Sequence, residues 1–95
     1  MLEERIVLTD SMGLHARPAA QLMMALNGLD CTVTISGNGQ TVNGKDVIEI
    51  LSLGCLKGDR ITVKAEGPDE KAAIEGVRRV RRELDCGRSE LDLNL

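Results

Sequence analysis

Two stretches of this chain alternate apolar and polar residues without a fault. In one, Cys31, Val33 and Ile35 stand against Thr32, Thr34 and Ser36; in the other, Ile61, Val63 and Ala65 stand against Arg60, Thr62, Lys64 and Glu66. A period of two places each set on its own face of a pleated strand. Strands that are polar on one face belong to an antiparallel sheet with one side in water, so the apolar stripes of any helices must cover the other side. The first stretch runs into Asn38-Gly39, a strong signal for a tight hairpin, so residues Gln40 to Val42 are expected to pair back onto it.

The remaining elements follow from period and punctuation. Glu4 to Thr9 reads as a strand with Ile6 and Leu8 on one face. Ala16 to Asn27 repeats Ala19, Leu22, Met23 and Leu26 at helical spacing, and Gly28 ends it. Asp46 is placed to cap a short helix reaching about Leu53, with Gly54 after it. Gly67-Pro68-Asp69-Glu70 opens a last helix whose stripe is Ala73, Val77, Val80 and Leu84. The order is strand, helix, strand, strand, helix, strand, helix. It predicts an α+β fold: an open-faced β-sandwich with a four-stranded antiparallel sheet and three helices on one face.

Composition narrows the function. The chain has 95 residues, enough for one modest core, and no Phe, Tyr or Trp, so that core is aliphatic. Net charge −3 and the absence of aromatic platforms argue against single-stranded nucleic acid as a partner. Arg78, Arg79, Arg81 and Arg82 are read as a solvated helix face rather than a nucleic-acid patch. No apolar run is long enough for membrane insertion, and Met1-Leu2-Glu3-Glu4 lacks the pattern of a secretory signal. Cys31, Cys55 and Cys86 form neither a disulfide framework nor a metal-ligand spacing, which fits small buried residues in a reducing cytoplasm. No metal is expected.

The chemistry gathers at the single histidine. His15 lies in Gly13-Leu14-His15-Ala16-Arg17-Pro18-Ala19, where a helix should begin. The first turn of a helix presents N–H groups with no intrahelical acceptor, and with the positive end of the macrodipole they make an anion site. Arg17 adds a charge-assisted donor for phosphate oxygens. Pro18 is tolerated because a first-turn residue has no hydrogen bond to lose. On the short second helix, Ile50 and Leu53 make one apolar face, while Val47, Ile48 and Leu51 cluster away from it as a candidate docking patch.

The string Gly13 to Ala19 resembles the active-site signature of the HPr family, the histidine-containing phosphocarriers of the bacterial sugar phosphotransferase system. The likeness continues through Val42-Asn43-Gly44-Lys45-Asp46, Leu51-Ser52-Leu53-Gly54, Lys57-Gly58, Ile61 to Gly67 and Asp69-Glu70, up to about Glu83. The resemblance implies the βαββαβα topology, with a carrier domain over 1–88 and a C-terminal extension over 89–95. Leu91 to Leu95 alternates like a strand and is left open between a sheet edge, pairing between chains and disorder. It further implies that His15 takes a phosphoryl group from enzyme I on Nδ1, that the backbone N–H groups of Ala16 and Arg17 hold it, and that an enzyme IIA histidine receives it. Such a protein is a monomeric cytoplasmic carrier rather than an enzyme and needs no cofactor. Ala20 and Met24, with Val47, Ile48 and Leu51, are then the partner-docking residues.

Two departures from the family pattern stand out. Asp46 occupies the position of a regulatory serine, so HPr kinase has nothing to phosphorylate there, and the carboxylate either caps the helix or imitates phosphoserine beside Lys45. Met24 and Asn27 replace basic residues of enteric members, which weakens steering toward an acidic partner. A regulatory module that docks a transcription regulator through Asp46 and the Val47, Ile48, Leu51 patch is the alternative reading.

Overall fold

The computed structural model describes residues 1–9 and 11–93, with side chains as far as Leu84. The elements are β1 (Leu2–Val7), α1 (Ala16–Leu26), β2 (Thr32–Gly37), β3 (Gln40–Asn43), α2 (Val47–Ser52), β4 (Arg60–Glu66) and α3 (Glu70–Leu93). The strands form one antiparallel sheet in the order β1-β4-β2-β3. This is the expected α+β architecture, three helices over a four-stranded sheet.

Alternation sets the register. Ile35 stands opposite Val63 on one side and Val42 on the other, and all three belong to the face beneath the helices. On the wet face Ser36 pairs with Thr41, their hydroxyls 2.9 Å apart. Asn38 and Gly39 both take positive φ, 54° and 79°, the geometry of a type I′ hairpin turn. The core is aliphatic, with Ile6, Leu8, Leu22, Leu26, Ile50 and Val77 among its members, and it holds no buried polar side chain among the described residues. Gly76 lets α3 close on α1: a Cβ there would touch Ala25 at 3.4 Å.

Several readings shift. Strand β1 begins at Leu2 rather than Glu4. Glu4 shares the phase of Ile6, on the helix-covered side, and its carboxylate receives Arg78 Nε at 3.0 Å and Arg81 Nη1. Half of the arginine cluster therefore clamps α3 to β1 instead of standing free in solvent. The stripe of α3 also includes Ile74, buried beside Ala73 and Val77. Cys55 is buried as expected, and burial, with Asp59 nearby, pushes its thiol above the usual range. Cys31 is only half-buried against the core edge, and Cys86 lies outside the described side chains.

At the C-terminus the backbone stays helical to Leu93. Arg, Glu and Leu are good helix formers and no proline interrupts residues 70–93, so the i→i−4 ladder propagates through a segment whose alternation suggested a strand. Asn94 and Leu95 lie outside the described residues.

Candidate functional site

His15 is the N-cap of α1, with extended backbone (φ −94°, ψ −171°), and its side chain makes no capping bond. Its carbonyl oxygen accepts the first helical hydrogen bond from Ala19 N–H at 3.1 Å. The next two N–H groups, on Ala16 and Arg17, precede any intrahelical acceptor, and Pro18 has no N–H to offer. Two donors and the positive end of an eleven-residue helix therefore face the space beside the imidazole. His15 is partly exposed, and Arg17, two residues further on, is exposed.

The loop before α1 is held from behind. Gly13 has φ +66°, and a Cβ on it would lie 2.5 Å from the Cys55 carbonyl oxygen and 2.6 Å from the Leu56 Cα. Leu14 N–H donates to that same carbonyl at 3.0 Å, and the Leu14 side chain is buried, 4% exposed. Left-handed backbone and close approach both demand glycine. The motif that contains Gly13 and Leu14 does not by itself reveal this anchoring. The available signal was a glycine and a buried-type leucine directly before a functional histidine.

Helix α2 begins at Asp46, whose Oδ1 accepts from Ile48 N–H at 2.9 Å and Glu49 N–H at 3.3 Å. One oxygen of the carboxylate thus serves as the helix cap. Lys45 does not reinforce a phosphoserine-like charge: its ammonium donates to the Leu29 carbonyl. Replacing Asp46 by alanine is expected to cost about 1 kcal/mol, and by serine a few tenths. Urea unfolding at constant m would resolve the two. Ser52, the serine closest to the position, back-bonds to the Glu49 carbonyl within the helix.

The proposed docking residues are not equally available. Ile48 is 71% exposed and Met24 71%, both free to meet a partner. Val47 and Leu51 are partly buried and pack against the core edge, and Ala20 is half-buried on α1. The apolar face of α2 narrows to Ile48, with the edges of Val47 and Leu51, while Ile50 and Leu53 anchor it at 0% and 1% exposure. No group of three or more potential metal ligands occurs among the described residues. No described helix is long and apolar enough to cross a membrane.

Comparison with known proteins agrees with this arrangement. A family model described as the PTS HPr component phosphorylation site matches residues 2–82. Phosphocarrier protein HPr of Vibrio cholerae is 37% identical over 75 residues, 79% of this chain and 88% of its own length. Its counterpart in Buchnera aphidicola is 39% identical over 85 residues, 90% of this chain and all of its own. Among solved structures, HPr-C-His from Thermoanaerobacter tengcongensis superposes with TM-score 0.81 at 31% identity, covering 88% of this chain and 94% of that one.

Proposed function

This chain belongs to the HPr family of phosphocarrier proteins of the phosphotransferase system, and on that premise we propose that His15 is the residue that carries the phosphoryl group. The Nδ1 lone pair attacks phosphorus on the phosphohistidine of enzyme I. The new N–P bond forms as the donor's N–P bond breaks, and the donor imidazole leaves neutral. The phosphoryl oxygens then lie against the N–H groups of Ala16 and Arg17, with the Arg17 guanidinium available to spread their charge. An enzyme IIA histidine reverses the sequence of bonds, and the carrier returns to its starting state. The protein thus acts as a substrate shared by two enzymes, in the cytoplasm where its partners meet it, and needs no cofactor of its own. Kinase control through a serine is absent at Asp46.

The observation that carries this reading is the placement of His15 as N-cap, beside two first-turn N–H groups that the helix does not use. The capping bonds of Asp46 give its carboxylate a structural role that needs no regulatory partner. Incubation with phosphoenolpyruvate, Mg²⁺ and enzyme I should give one acid-labile, alkali-stable phosphate per chain, mapped to His15 by mass spectrometry. An acid-stable phosphate, or one on another residue, would overturn the assignment.

A further inference from the structure

Lys45 and Glu49 carry opposite charges on either side of the Asp46 cap, yet no ion pair joins them among the described residues. Each is held elsewhere. The Lys45 ammonium donates to the Leu29 carbonyl, in the connection between α1 and β2, and that oxygen also accepts Cys31 N–H at 3.0 Å. The Glu49 carboxylate accepts Asn43 N–H at 3.1 Å, at the open edge of the sheet. Asn43 steadies the pair from the other end too, its side-chain oxygen accepting Lys45 N–H at 2.9 Å. The anchoring leaves capacity over: the ammonium has three donors and uses one, and Glu49 Oε2 has no partner among the described residues. Both side chains line one cavity of about 480 Å³, together with Thr34, Thr41, Val42 and Asn43. That size falls in the range of about 300–1,000 Å³ usual for small-molecule sites. Among the described residues, none from α1 or the loop before it lines this cavity.

We propose that the cavity binds a small free α-amino acid as its zwitterion, the carboxylate toward Lys45 and the ammonium toward Glu49. The selection is electrostatic. A simple anion attracted to Lys45 meets the Glu49 carboxylate, and a simple cation attracted to Glu49 meets the Lys45 ammonium. A ligand with both signs on neighbouring atoms satisfies the two together, which the protein's own geometry keeps the side chains from doing for each other. Val42 offers an apolar contact to a short side chain, and the Thr34 hydroxyl and Asn43 amide offer polar ones. The cavity is open to solvent and its ion pairs are screened, so the dissociation constant should be about 1–10 mM. The inference is independent of the reading of His15.

The test is a titration of the ¹⁵N-labelled full chain, followed by amide chemical shifts, with L-alanine, propionate and ethylammonium in separate arms. Alanine carries both charges and the other two carry one each. With alanine, the amides of Thr34, Asn43 and Lys45 should move saturably, and those of Ala16 and Arg17 should stay in place. Each single-charge probe should bind at least about fivefold more weakly. Glu49→Gln keeps an oxygen to accept Asn43 N–H and removes the charge, so alanine affinity should fall about fivefold while the thermal midpoint holds. The single-charge arms use the parent chain and do not depend on how that variant folds. Absence of saturable shifts up to about 100 mM alanine would overturn the proposal. Propionate or ethylammonium binding as tightly as alanine would also overturn it, as would unchanged alanine affinity in Glu49→Gln.

Discussion

His15→Ala is expected to accept no phosphate from enzyme I under conditions that label the parent chain to completion. The loss should be total rather than graded, because His15 is the only histidine in the sequence and no neighbouring side chain can form an N–P bond of comparable reactivity. The fold should survive. The His15 side chain makes no helix-capping hydrogen bond, and the Ala19 to His15 bond that starts α1 uses the backbone carbonyl, which alanine keeps. Far-UV circular dichroism and the urea midpoint should therefore stay close to those of the parent. The informative result is this separation: native structure, no acid-labile phosphate. Persistent acid-labile label on the variant would refute the account.

The second large effect concerns Gly13. Substitution by alanine adds a Cβ at φ +66°, costing about 1–2 kcal/mol in left-handed strain. It also drives that Cβ to 2.5 Å from the Cys55 carbonyl oxygen and 2.6 Å from the Leu56 Cα, both backbone atoms that cannot rotate away. The loop must shift, and the total loss should reach about 2–4 kcal/mol. Because His15 follows two residues later, transfer should slow by about a hundredfold, the scale expected of a 1 Å misplacement. Gly28→Ala is the control: φ is +84° there but the Cβ meets nothing within 4 Å, so only about 1 kcal/mol should be lost and transfer should hardly change. Equal losses at the two glycines would show that the contact behind the active loop is unimportant.

How much of this could be read from residues alone depended on whether the signal was local. The alternation of β2 and β4 and the Asn38-Gly39 turn are properties of neighbouring residues, and the structure follows them closely. The N-cap roles of His15 and Asp46 were equally local. Glu4 was not. Its carboxylate lies in phase with Ile6, and its partners Arg78 and Arg81 are 74 and 77 residues away, so nothing local in the sequence distinguishes those two arginines from a solvated helix face. The Gly13 contact with Cys55 and Leu56 is likewise non-local; glycine advertises freedom in sequence but does not say which atoms crowd it. At α2, periodicity separated Ile50 and Leu53 from Val47, Ile48 and Leu51 correctly. It could not show that Val47 and Leu51 pack against the core edge and leave Ile48 as the most exposed point.

The central claim is that a phosphoryl group on His15 is held by the backbone at the start of α1. Proton–nitrogen correlation spectra of ¹⁵N-labelled protein, recorded before and after phosphorylation by enzyme I, address it directly. The amides of Ala16 and Arg17 should move downfield by more than any others, with the phosphorus coupled to Nδ1 of His15. If those two amides keep their positions while the phosphate is in place, the helix terminus does not hold it and the account is wrong.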